Sequence, residues 1–198
     1  MRRYMRAFVP LGLVSALVAG CASDKGPAEA ALRAAEEAIT AAKGEAARYV
    51  PEQAKALETA LAAAKDKLAK GDYRAALTEA QALPGKAKEL AAAAAAKKAE
   101  LTKAWEGVSA GMPRVVDAIK SRVDVLSQAK TLPATMTADK LGAAKTGLAE
   151  LTQSWTAASE AFKGGNVPDA LAKATAMKAK AAEVLGILGM PVPDALKG

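Results

Sequence analysis

Apolar residues recur three and four positions apart along most of the chain beyond residue 27. This spacing places them on one face of an α-helix, so it predicts six amphipathic helical segments, named A to F in chain order. Their apolar stripes run from Leu32 to Tyr49 in A, Ala54 to Leu68 in B, Ala76 to Val108 in C, Val116 to Leu126 in D, Leu141 to Phe162 in E, and Val167 to Leu188 in F. No stretch alternates apolar and polar residues over a strand's length, so no strand is predicted.

Glycine, proline and capping residues separate these segments. Gly71-Asp72 joins B to C and Gly164-Gly165-Asn166 joins E to F, because glycine ends a helix readily and Asp or Asn can cap the next one. Thr137 is the expected cap of E. We expect a break between C and D from Gly107 to Pro113. We also expect a kink at Pro84-Gly85, because proline inside a helix costs about 3 kcal/mol.

The two halves of the chain are similar. Residues 71–77 match residues 165–171, each with a glycine turn followed by an Ala-Leu pair, and the match continues without gaps. The prediction is an all-α, antiparallel, coiled-coil-like helical bundle of two related three-helix units, at residues 28–108 and 112–190, with a tail at 191–198. The alternative is a single elongated bundle in which segment C runs along both halves.

Composition sharpens this picture of the core and excludes one class of partner. The chain is 52% hydrophobic but only 4% aromatic, and much of the apolar content is alanine, so closely spaced helices must enclose a thin core. Alanine is also the strongest helix former. The formal net charge of +7 falls to +4 if Arg2, Arg3 and Arg6 are removed, too small an excess to indicate nucleic-acid binding. We interpret the lysines as solvating side chains on exposed helix faces.

The first twenty residues have the layout of a secretory signal. Three arginines are followed by an apolar stretch from Ala7 to Gly20, which is too short to span a bilayer as a helix. The stretch ends in Leu17-Val18-Ala19-Gly20-Cys21, and Cys21 is the only cysteine. We therefore predict a signal peptide at residues 1–20. The alternative is an ordinary N-terminal anchor helix in which Cys21 is buried.

Small residues followed by this cysteine resemble the lipobox of bacterial lipoproteins. The resemblance implies diacylglyceryl attachment to the Cys21 thiol, cleavage between Gly20 and Cys21, and acylation, such as palmitoylation, of the new amino group. Residues 21–27 would then form the lipidated anchor and its linker. In lipoproteins of the enterobacterial type, Ala22 rather than aspartate after the cysteine implies sorting to the outer membrane. The implied location is the outer membrane, facing the periplasm.

Two further resemblances are more limited. The run Gly71-Asp72-Tyr73-Arg74-Ala75-Ala76-Leu77 resembles the turn and second-helix start of tetratricopeptide hairpins, but the chain lacks that family's period of about 34 residues. More broadly, Tyr49-Val50-Pro51-Glu52, segment B and Gly71-Asp72-Tyr73 resemble an uncharacterised family of alanine-rich outer-membrane lipoprotein domains, over about residues 28–105. That resemblance implies no known activity.

Catalytic strings occur without their chemical context. Gly107-Val108-Ser109-Ala110-Gly111 has the form of a G-x-S-x-G nucleophile elbow, but that motif needs a preceding strand and a histidine base, and the chain has no histidine. Ser127-Gln128-Ala129-Lys130 and Lys145-Thr146-Gly147 are similar to motifs of serine β-lactamases, yet the second falls inside predicted helix E. With no histidine and no free cysteine, no metal site is predicted, and no cofactor either.

These observations predict a non-enzymatic, membrane-anchored periplasmic lipoprotein that acts as a structural or protein-interaction module of the cell envelope. Its partners would be the membrane, through the covalent lipid, and an envelope protein, while spare apolar surface on C or F would allow self-association. Trp105 lies one step off its stripe and is the candidate interaction residue, with packing of the two halves as its alternative role. A carrier or chaperone that holds an apolar ligand or peptide is the alternative function. Its groove would be lined by Met177, Leu185, Leu188 and Trp105.

Overall fold

The computed structural model describes residues 24–196, and these form an all-α helical bundle. The helices are α1 (Lys25–Tyr49), α2 (Pro51–Ala69), α3 (Tyr73–Gln128), α4 (Ala138–Lys163) and α5 (Val167–Ile187), followed by a 3₁₀ turn at Asp194–Leu196. No strand occurs within this range, as the apolar spacing predicts. Segments A, B, E and F correspond to α1, α2, α4 and α5.

Segments C and D are one helix, so the expected break from Gly107 to Pro113 is wrong. Helix α3 continues for 56 residues through Pro84 and Pro113. Gly107 and Gly111 keep ordinary helical backbone, since positive φ is confined among the described glycines to Gly71, Gly165 and Gly189. Each internal glycine costs about 1 kcal/mol. Packing of neighbouring helices along both ends of α3 offsets that cost.

Two helical hairpins pack along the two ends of α3. The short turn at Val50 makes α1 and α2 antiparallel, and α1 runs in the same direction as α3, because Glu45 pairs with Lys98 and Leu32 shares a cluster with Ala80. Helices α4 and α5 form the second hairpin, on the C-terminal half of α3, where Met112, Ile119 and Val123 share a core cluster with both helices. The described chain is therefore the elongated bundle given as the alternative, and the boundary expected between residues 108 and 112 falls inside α3.

The helices pack against one another through alanine-rich faces, and these contacts, called alanine seams, form the core. The buried residues follow the predicted stripes, and many alanines are fully buried, including Ala28, Ala35, Ala46, Ala64, Ala76, Ala80, Ala94, Ala144, Ala158, Ala170, Ala174 and Ala181. Among residues 24–196, no polar or charged side chain is buried. One core cluster joins residues of α1, α2 and α3 to Ala158, Val167, Ala170 and Ala174 of the second hairpin. The two halves thus share a core as well as a helix.

The glycine turns end their helices as the sequence predicts. Gly71 and Gly165 have φ of 82° and 73°, and the residue after each donates its N–H five residues back, to Lys67 and Ala161. The Asp72 side chain caps α3 by accepting a bond from the N–H of Ala75 (3.2 Å). Asn166 makes no such side-chain bond, so the second turn ends α4 but does not cap α5 in the expected way. Thr137 caps α4 by accepting from the N–H of Lys140 (3.2 Å).

The C-terminal tail packs against the bundle. Leu196 is buried in the second core cluster, and Met190 and Val192 pack against the same cluster. The part of the tail up to residue 196 therefore adds to the core of the α3–α5 end.

Candidate functional site

The predicted lipidation and cleavage residues, Gly20 and Cys21, lie outside the described residues. Helix α1 begins at Lys25, so the part of the expected linker from Lys25 to Pro27 is helical instead. Three residues separate Cys21 from Lys25, the first residue of α1, so the Cα atoms of Cys21 and Lys25 can be at most about 14 Å apart. Along residues 24–196, no helix is long and apolar enough to cross a bilayer.

Trp105 is a buried packing residue, so its assignment as an interaction surface is wrong. Its side chain is 5% exposed. The indole stacks on Trp155 at 5.5 Å between ring centroids and on Phe162 at 4.9 Å, with interplanar angles of 4° and 11°. Stacked aromatic pairs contribute about 0.5–1.5 kcal/mol beyond their burial. Trp105 therefore packs α3 against α4, which is the packing role that the sequence offered as the alternative to an interaction surface.

The turns of the two hairpins meet beside this aromatic cluster. Arg48 Nη1 donates a hydrogen bond to the carbonyl oxygen of Gly165 (3.0 Å), and the Tyr49 hydroxyl donates to the same oxygen (2.8 Å). This contact joins the end of α1 to the turn between α4 and α5. Sequence patterning missed it, because the stripe identifies Tyr49 as buried but carries no signal for which turn lies opposite.

Ion pairs across the helix seams surround the alanine core. Glu36–Lys65 and Lys43–Glu58 connect α1 to α2, both at 2.6 Å, and Lys67–Glu79 connects α2 to α3. Lysines that the sequence indicated as solvating side chains thus also select neighbouring helices. These pairs are exposed, so each contributes less than about 1 kcal/mol.

Two of the seam lysines have perturbed titration. The pKa of the Lys98 ammonium lies above its ordinary value, first because it donates a hydrogen bond to Glu45 and then through attraction to that carboxylate. Its nitrogen also lies 5.9 Å from the Tyr49 ring centroid. The pKa of Lys180 is raised mainly by its hydrogen bond to Glu150, at 3.0 Å across the α4–α5 seam. Both lysines form ion pairs between helices, Lys98 with Glu45 and Lys180 with Glu150.

The catalytic strings lie on helices. Ser109 is inside α3, and its hydroxyl donates to the backbone carbonyl of Glu106 (3.1 Å). Ser127 in the last turn of α3 donates likewise to Val123 (2.7 Å). Lys145-Thr146-Gly147 falls within α4, as expected, and Gly147 packs against Val184. Within residues 24–196, no group of three or more Asp or Glu side chains is placed to hold a metal ion.

Open grooves, rather than closed cavities, mark the surface. One lies between α4 and α5, with a volume of about 410 Å³, and a smaller one of about 260 Å³ lies between α3 and α5. A third groove, about 470 Å³, runs between α2 and α3 and is lined mostly by alanine and leucine. Met177, Leu185 and Leu188 are each at most 3% exposed, so the apolar groove expected from them and Trp105 is not open.

Comparison with known proteins gives no match, because no family model, no curated sequence and no solved structure is significantly similar to the chain.

Proposed function

We propose that this protein is a lipid-anchored, non-enzymatic helical module of the bacterial cell envelope, with a structural or protein-interaction role. The observation that carries the proposal is the Leu17-Val18-Ala19-Gly20-Cys21 motif at the end of a basic and apolar leader. The proposed location is the periplasmic face of the outer membrane, because Ala22 rather than aspartate follows the cysteine. The partner in the membrane is the bilayer itself.

The position of α1 supports a body held close to the membrane. Because α1 starts four residues after Cys21, lipid chains on that cysteine would confine the start of the bundle to within about 14 Å of the headgroups. Several acyl chains together anchor a protein stably, whereas one chain binds only marginally. A short connection of this kind raises the effective concentration of the bundle for partners at the same surface.

The interior of the bundle supports a structural role over the carrier alternative. The candidate carrier residues are packed inside the core, where alanine seams leave little room for a ligand. Polar groups are kept to the surface, where they form ion pairs between helices. These features favour a protein that acts through its shape and its outer faces.

Replacement of the anchoring cysteine tests the proposal. We expect Cys21→Ala to abolish incorporation of a palmitate analogue and to move the protein from the membrane fraction to the soluble fraction of lysed cells. Ser23→Ala, two residues away, is the matched control and should keep both label and membrane retention. Undiminished membrane retention of Cys21→Ala would exclude the lipid anchor.

Separation of inner and outer membranes by density tests the location. We expect the unaltered protein in the outer-membrane fraction of an enterobacterial host, and Ala22→Asp in the inner-membrane fraction. The same distribution for both proteins would contradict sorting through residue 22, whether or not Cys21 is acylated.

A further inference from the structure

The groove between α2 and α3 is long enough to hold another helix. Its larger part, about 470 Å³, continues into an adjoining part of about 360 Å³, and the two share Ala60 and Lys86. The groove follows α3 from Thr78 to Ala93, a length of about 22 Å. Five alanines line its walls and permit close approach of a helix backbone, and the buried Leu57, Leu83 and Leu90 lie at its floor.

The α3 wall of this groove has an internal symmetry. Ala82, Lys86, Glu89 and Ala93 line it at spacings of four, three and four residues, so they lie in one stripe along the helix. Ala82, Lys86 and Glu89 are exposed. Read from Ala93 back to Ala82, the stripe has the same spacing and again ends in alanines, but the positions of its positive and negative charges are exchanged.

The two charged side chains in the middle of the stripe have no ion-pair partner within residues 24–196. Glu79, the other charged residue that lines the groove, pairs with Lys67. Lys86 and Glu89 take part in no ion pair with another residue between 24 and 196. The groove therefore presents one unpaired cation and one unpaired anion, one helical turn apart, between walls of small residues.

We propose that this groove is the contact surface for a second copy of the same chain, bound antiparallel. A two-fold axis perpendicular to α3, midway between Lys86 and Glu89, places Lys86 of each copy against Glu89 of the other. The same axis places Ala82 of each copy against Ala93 of the other. One rotation thus pairs both opposite charges and both alanines, as an isologous interface requires.

The walls from α2 fit the same arrangement. Ala56, Ala60 and Ala63 form a ridge of small side chains along α2, and Ala56 and Ala63 are exposed. The two-fold axis perpendicular to α3 places α2 of each copy opposite α2 of the other, and these small side chains allow the two helices to approach closely. A parallel dimer would instead place Lys86 against Lys86, and repulsion between like charges disfavours it. The antiparallel second copy uses only the bundle and does not depend on the lipid anchor.

Charge exchange across the two-fold axis tests the proposal. The full-length protein, purified from cells in detergent, is studied by sedimentation velocity over a concentration series. We expect a species with twice the mass of the monomer as mass spectrometry of the purified protein measures it. Lys86→Glu should weaken self-association by at least about 10-fold, because it brings carboxylates together across the axis. The double variant Lys86→Glu/Glu89→Lys should restore association, since each new pair is again opposite in charge.

Lys88→Glu is the matched control, because Lys88 is exposed on the same helix and does not line the groove. It should associate like the unaltered protein. Circular dichroism of all variants checks that helical content is unchanged. A protein that stays monomeric at every concentration would overturn the proposal, as would a double variant no better associated than Lys86→Glu. Capture of a different envelope protein in the groove of a monomeric chain would also overturn it.

Discussion

At the scale of single residues, the smallest side chains set how closely the helices approach. Gly147 is buried in α4, and a Cβ atom built on it would lie 2.4 Å from Cγ2 of Val184 in α5. Val184 is itself fully buried, so it has no free space into which to move. The α4–α5 seam therefore requires the absence of a side chain at this position.

We expect Gly147→Ala to lower the free energy of unfolding by about 1–3 kcal/mol, as overpacking of a core does. Urea denaturation followed by circular dichroism measures this change. Gly142→Ala, on the same helix, is the matched control. A Cβ there meets nothing within 4 Å, so it should raise stability by about 0.5–1 kcal/mol. Equal effects of the two substitutions would contradict the close approach of α4 and α5.

Residue patterning predicted much of the interior but not the contacts between turns. Stripe positions such as Leu32, Ala46 and Val184 are buried as expected, because a spacing of three and four fixes which face of a helix is apolar. The same reasoning gave Trp105 a surface role, since one step off the stripe is ambiguous on a helix that has neighbours on two sides. The bond from Tyr49 to Gly165 depends on tertiary placement, which a single helix pattern does not encode.

At the scale of elements, α3 is the helix that joins both hairpins. Glycine and proline in the middle of a segment normally indicate a boundary, which is why a break from Gly107 to Pro113 was expected. The structure shows both glycines in helical conformation, and a Cβ at either would meet nothing within 4 Å. Local propensity therefore disfavours the middle of α3, and packing with the hairpins overrides it.

Alanine at these glycines distinguishes a continuous helix from a break. We expect Gly107→Ala and Gly111→Ala each to raise the free energy of unfolding by about 0.5–1 kcal/mol, because alanine loses less backbone freedom in a helix. Thermal unfolding followed by circular dichroism provides the measurement. Gly71→Ala is the contrasting control and should be destabilising, because Gly71 has φ of 82°. Destabilisation by Gly107→Ala would indicate the break that the sequence favours.

At the scale of the whole molecule, α3 determines an elongated shape. Its 56 residues extend about 84 Å at 1.5 Å per residue. The two hairpins lie end to end along it, joined through Gly165 and the cluster of Trp105, Trp155 and Phe162. The start of α1 lies beside the start of α3, so the far end of α3 is distant from the start of α1.

Small-angle X-ray scattering tests this shape. A rod about 84 Å long has a radius of gyration of at least about 24 Å. A compact globular chain with the same number of residues would have a radius of gyration of about 16 Å. We expect the larger value for the Lys86→Glu variant, measured at a concentration where sedimentation velocity shows it to be monomeric. A value near 16 Å would show that the second hairpin folds back on the first.

The alanine seams affect how strongly the sequence fixes the axial register of neighbouring helices. Sliding one helix along its neighbour by a single turn, about 5.4 Å, would leave several contacts as alanine against alanine, because alanine recurs along the buried stripes. No buried polar group within residues 24–196 opposes such a slip. The correct axial register rests on the larger core side chains, on the close fit of Gly147 to Val184, and on groups such as Trp105 with its stacked rings and Tyr49 on Gly165. Loss of these groups would produce a mixture of slipped bundles with unchanged helical content, rather than an unfolded chain.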